Sequence, residues 1–118
     1  MSAENFVIGL DYGSDSVRAI LVDTRSGKTI ASHVHWYQRW KRGLYCDPSK
    51  NQFRQHTRDH LEGMEEVIGA VVRRSGLAKN AIKGIGIDTT GSSPVPVYRN
   101  GVALFELPVF TDIPNAMV

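Results

Sequence analysis

Two short polar stretches hold residue types able to meet an anion and a polyhydroxy ligand. The first reads Asp11-Tyr12-Gly13-Ser14-Asp15-Ser16-Val17-Arg18. Asp11 closes an apolar run and could hold a magnesium ion, usually through water. Gly13 lets the backbone bend and a ligand approach closely. Ser14 and Ser16 offer hydroxyls, and successive N–H groups in such a turn can cradle an anion. Arg18 adds a cation able to reach a phosphate. Phosphoryl transfer draws on such parts because its catalysis is mostly positioning and charge neutralisation. A tight polar hairpin with no ligand accounts for the same composition. The stretch has neither the Gly-x-x-x-x-Gly-Lys nor the Gly-x-Gly-x-x-Gly form. The second stretch, Asp88-Thr89-Thr90-Gly91-Ser92-Ser93, ends another apolar run. Open sheets place ligands at the carboxyl ends of strands. Hydroxyls and bare backbone there suit a polyhydroxy ligand, with a plain glycine turn as the alternative.

Other reactive types are weaker candidates. Cys46 is the one cysteine, so no internal disulfide forms, and it reads as an inert thiol. His56 and His60 are four apart, a zinc-compatible spacing on a helix, but no third ligand is evident. They read as a packed or solvated pair. Arg39, Lys41 and Arg42 stand among Trp40, Leu44 and Tyr45. Such mixtures bind nucleic acid, yet no wider basic patch accompanies this one.

The elements that must position these residues follow from periodicity. Phe6–Leu10 and Val17–Val22 read as strands joined by the first polar turn. Thr29–Tyr37 reads as a third strand, with Ile30, Ser32, Val34 and Trp36 on one face and Ala31, His33, His35 and Tyr37 on the other. Neither face is cleanly polar, so both are expected to be partly covered. Residues 38–46 read as an exposed loop. A helix is expected from Asp47, its cap, and Pro48 to Gly76, with apolar spacing through Phe53, Leu61, Met64, Val67, Ile68, Val71 and Val72. Ile85–Thr90 reads as a fourth, buried strand. Val95–Tyr98 and Val102–Phe105 flank Asn100-Gly101, a hairpin signal. The order β-β-β-α-β predicts an α/β fold with a mixed sheet and the helix on one face.

At 118 residues the chain is at most one domain, and 42% hydrophobic with 22% charged residues is ordinary for a globular protein. A net charge of +2 gives no reason to expect nucleic acid or a membrane surface. No run is long and apolar enough to span a bilayer. Met1 to Asn5 lacks the features of a signal peptide. A cytoplasmic location is expected.

The two polar stretches together resemble the FGGY carbohydrate kinases. Gly9 to Arg18 is similar to that family's first phosphate motif, and Ile85 to Ser92 to its fourth core strand and sugar-side loop. Tyr37 to Pro48, Asn51 to His56 and Pro114 to Met117 resemble the ribulokinases within the family. The resemblance runs over nearly the whole chain. It implies the N-terminal lobe of the actin-like, ribonuclease H-like fold, incomplete, with residues 1–118 forming part of the sugar-side domain and the C-terminal lobe absent. It also implies ATP and Mg2+ as cofactors and L-ribulose as substrate, phosphorylated to L-ribulose 5-phosphate in arabinose use. By resemblance, Asp11 would organise magnesium. Gly13, Ser14, Ser16 and Arg18 would lie beside the phosphate, and Gly91, Ser92 and Ser93 would line the sugar pocket. The family's aspartate base lies later in the chain, and the role does not transfer to Asp88. The stretch alone is therefore expected to be inactive. Apolar faces left bare are expected to self-associate into homo-oligomers. The competing readings are a piece of another actin-like ATPase and a non-catalytic self-associating module.

Overall fold

The computed structural model describes residues 5–118, so all but Asn5 of the stretch Met1 to Asn5, expected to lack signal-peptide features, lies outside the described residues. Three strands open the chain: β1 (Phe6–Tyr12), β2 (Ser16–Asp23) and β3 (Thr29–Trp36). They form an antiparallel meander. Alternation sends Phe6, Ile8 and Leu10 of β1, and Val17, Ala19 and Leu21 of β2, to one buried face. A one-turn helix, α1 (Gln38–Lys41), and a two-residue strand pair, β4 (Cys46–Asp47) with β5 (Gln52–Phe53), follow. The long helix α2 (Thr57–Ser75) then covers the buried face, adding Val67 and Val71 to the core. Finally β6 (Ile82–Asp88) joins parallel to β1. The sheet order is β3-β2-β1-β6, which is the mixed sheet and β-β-β-α-β succession expected.

The helix sits very close to the sheet at Gly63. A Cβ there would lie 2.6 Å from Val17 Cγ1 and 3.2 Å from His35 Cδ2. Gly76 ends α2 in the left-handed conformation, as its place in the sequence suggested.

Five expectations are corrected. Asp47 does cap, its carboxylate accepting from the Ser49 amide, but it caps a 3-10 turn at Pro48–Lys50. Asn51 then turns left-handed at φ 51°, which stops propagation, and α2 starts only at Thr57, with His56 as its cap. Phe53 consequently lies on β5, exposed and tilted against Trp40. Residues 38–46 are no free loop: Arg39 is fixed to Asp59 and Glu62 of α2. The fourth strand is not buried, because β6 is an edge strand: Ile82 packs on the core, but a hollow separates α2 from the strand beyond it, leaving Ile85 and Ile87 exposed. Likewise β3 is covered only on its Ala31, His33 and His35 face; Ile30, Val34 and Trp36 are bare. The hairpin at Asn100-Gly101 shrinks to a single bridge, Val97 with Ala103. Around it, Ala103, Phe105 and Met117 form a second small core with Tyr45 and Val95.

Candidate functional site

The β1–β2 turn is held from behind. Gly13 N–H donates to the Ser16 carbonyl at 2.8 Å and closes the turn. The Gly13 carbonyl accepts from the Tyr37 hydroxyl at 3.1 Å. The Ser14 carbonyl accepts from the Gln55 side-chain amide at 2.6 Å, and the Asp15 carbonyl from Tyr37 N–H at 2.9 Å. Tyr37 is fully buried, and burial, then the phenol of Tyr12 and nearby carboxylates, pushes its pKa up. It therefore stays a protonated donor.

Parallel pairing of β1 with β6 sets Asp11 beside Asp88 at the carboxyl ends of two adjacent strands. Antiparallel pairing sets Asp11 opposite Arg18, 3.8 Å away, both largely in solvent. Asp11, Gly13, Ser16 and Arg18 line one hollow of about 300 Å³ on the bare face of the sheet, with Val34 and Trp36. Ser14 faces the other way. It shares a cleft of about 640 Å³ with Gly91, Ser92 and Ser93, walled by Arg54 and Gln55. A third hollow, of about 290 Å³, runs between the two from Gly13 and His60 to Thr90 and Ser93. The two polar stretches, seventy-odd residues apart, are thus neighbours. Asp11, Gly13, Ser14, Ser16, Arg18, Gly91, Ser92 and Ser93 each line one of these three hollows, and the third shares Gly13 with the first and Thr90 and Ser93 with the second.

Sequence reasoning named no cleft role for Arg54, Gln55 or Asn115. Arg54 donates to the Asn115 side chain at 3.4 Å, and Gln55 exchanges backbone hydrogen bonds with Val118 at 3.0 and 2.9 Å. The run Asn51-Gln52-Phe53-Arg54-Gln55 is too polar for a buried helix face, a signal that it lies outside α2.

The histidine pair is packed, and no group of three metal-ligating side chains occurs among the described residues. His60 stands edge-on to Tyr12 and Tyr37, and His56 packs on Phe105 while its Nδ1 accepts from the Arg58 amide. Burial lowers the pKa of both. Burial raises that of the Cys46 thiol, in keeping with an inert group. No helix among the described residues is long and apolar enough to cross a membrane.

No protein-family model matches the chain. Curated relatives do. A ribulokinase of Vibrio parahaemolyticus is 46% identical over 118 residues, covering 97% of this chain and 20% of its own length. Ribulokinases of Geobacillus thermodenitrificans and Halalkalibacterium halodurans are 34% and 31% identical over 98% and 96% of the chain. The chain spans about a fifth of the length of these relatives. Among solved structures, a gluconate kinase from Lactobacillus acidophilus superposes with a TM-score of 0.67 at 17% identity, covering 83% of this chain and 18% of its own. A reductive activator for a corrinoid, iron-sulfur protein gives 0.57 at 18%, covering 76% and 15%. Proteins of such different names share this fold, so the fold alone does not decide the chemistry.

Proposed function

By sequence this chain belongs to the ribulokinases of the FGGY carbohydrate-kinase family, and we propose that it supplies the sugar wall and first phosphate turn of an ATP-dependent kinase acting on L-ribulose. The product is L-ribulose 5-phosphate, the setting arabinose use, and the location the cytoplasm. The observation that carries the reading is the meeting of Ser14 with Gly91, Ser92 and Ser93 across one cleft.

Each part has a physical role in that reaction. Gly91, Ser92 and Ser93 offer hydroxyls and unencumbered backbone to the sugar. Gly13, Ser14 and Ser16 present the turn to the phosphate, and Arg18 supplies a compensating cation. Asp11 with Asp88 beside it is a donor set suited to magnesium, which keeps several waters and takes one or two carboxylates plus phosphate oxygens. Magnesium bound there would neutralise charge on the ATP phosphates. Asp88 lies on the phosphate side of the turn, so we leave it in that role and not that of base. A base must reach the hydroxyl it deprotonates.

The test is amide shift mapping on the 118-residue chain with L-ribulose and, separately, Mg-ATP, beside a coupled assay of ATP turnover. We expect L-ribulose to move the amides of Ser14 and Gly91–Ser93, Mg-ATP to move Gly13–Ser16, and no turnover. Absence of shifts, or shifts confined to residues outside the cleft, would sink the reading. We further propose that the isolated chain self-associates through the bare sheet face.

A further inference from the structure

We infer that Gln55, working with Tyr37, is a positioning residue that sets the aim of the phosphate turn. The proposal rests on the reading of that turn as an anion cradle. In a trans peptide the C=O of one residue and the N–H of the next point in opposite directions. Gln55 Nε2 holds the Ser14 carbonyl at 2.6 Å and reaches the Gly13 carbonyl at 3.5 Å; the Tyr37 hydroxyl also holds Gly13 at 3.1 Å. With both carbonyls drawn inward, the N–H groups of Ser14 and Asp15 are turned outward. Among the described residues neither of these amides donates a hydrogen bond within the chain. They are left free for an anion seated on the turn. Without the clamp, Gly13 would let the turn rotate and the carbonyl oxygens, which repel phosphate, would share that surface.

Gln55 suits this task because its own backbone is fixed. Its N–H and C=O pair with Val118, and its neighbour His56 is the cap of α2. The side chain thus extends from an anchored point across some forty residues of sequence to the turn. Tyr37 is anchored as firmly, by complete burial. The clamp also ties the turn to the segment that walls the sugar cleft, since Asn115 and Val118 line that cleft with Gln55. The two half-sites are therefore set in register by one side chain.

The experiment compares wild type with Gln55→Met, which keeps length but cannot donate, and Gln55→Glu, which is isosteric and repels the carbonyls. Tyr37→Phe removes the second donor alone. The first readout is ligand-free: 15N relaxation and hydrogen exchange at Ser14, Asp15 and Ser16, with Leu21 and Val67 amides as the check on the core. The second is the response of the Ser14 and Asp15 amides to inorganic phosphate. We expect both Gln55 variants to loosen the turn while the core amides hold. We also expect them to weaken the phosphate response about fivefold, the effect of one lost hydrogen bond. Turn dynamics identical to wild type in both variants would overturn the clamp. If wild type itself shows no phosphate response, the cradle reading fails, and the relaxation data still decide whether Gln55 orders the turn.

Discussion

Asp59 carries a charge into the interior and repays it with hydrogen bonds. One carboxylate oxygen accepts from the Arg39 amide at 3.3 Å and from its guanidinium at 2.9 Å; the other accepts from the Trp40 amide at 3.3 Å. The pair fastens α1 to the first turn of α2. Asp59→Asn puts an NH2 against a donor, so we expect a loss of about 2–3 kcal/mol in urea unfolding; an unchanged midpoint would show the network to be dispensable. The histidines give a pH signature. Burial holds His56 and His60 below their ordinary pKa, so between that value and the depressed folded one the unfolded chain binds more protons. The stability they contribute is full above about pH 6.5 and is lost as pH falls through the folded values. His56 has a direct reason as well: its Nδ1 must stay unprotonated to accept from Arg58. His56→Asn keeps a cap acceptor without a titrating group. We expect its urea midpoint to vary less between pH 7 and 5 than that of wild type; an equal slope would assign the pH dependence elsewhere. Of all this, the sequence revealed only that the histidines were four apart. Their stacking partners Tyr12, Tyr37 and Phe105 come from three distant segments, and no local pattern records such a meeting.

At the scale of elements, the distance between α2 and the sheet is set by a residue with no side chain. Gly63 lets the helix backbone rest on Val17 and His35. Gly63→Ala forces a methyl to within 2.6 Å of Val17, and we expect a loss of about 1–3 kcal/mol, read as a fall in Tm of roughly 4–12 °C. A rise in Tm, the outcome helix propensity alone would give, would mean that the helix can shift away at little cost. The four strands of the main sheet, their succession and the end of α2 were legible because alternation and the Gly76 stop are local signals. The start of α2 was not. Asp47-Pro48 is a sound cap in its own right, and what ends its turn is the left-handed Asn51 together with the pairing of Cys46 with Phe53. The candidate site divides in the same way. Asp11–Arg18 and Gly91–Ser93 could be named from their own residue types. Arg54 and Gln55 could not, since their relevance lies in where Val118 and the turn hold them.

The whole molecule is open for its length. Its radius of gyration is 17.0 Å, against about 13.5 Å for a compact domain of this size. It exposes 7664 Å², where a compact monomer of 13.1 kDa exposes roughly 6,400 Å². Part of the exposed surface is apolar and lies on the sheet. On the face of the sheet opposite α2, Ile20, Ile30, Val34 and Trp36 form an apolar strip, Trp36 being 54% exposed. At the far edge, β6 leaves one side unpaired and Ile87 60% exposed. β3 is the other edge of the sheet and carries Ile30, Val34 and Trp36 of the strip, and an unpaired edge beside an apolar strip favours association between copies. The formal charge of +2 offers little repulsion against it. We therefore expect the mass measured by light scattering to rise with concentration. The pair Ile20→Lys and Ile30→Lys, at half-open positions where the fold does not depend on them, should lower it. A wild-type chain that stays monomeric at high concentration would mean that the strip is too narrow or too curved to pair. The same strip borders the hollow of Asp11 and Arg18 through Val34 and Trp36. Association would then cover the phosphate side and leave the sugar cleft open, so L-ribulose should still shift Gly91–Ser93 in the associated species while the response of Gly13–Ser16 to Mg-ATP weakens with concentration.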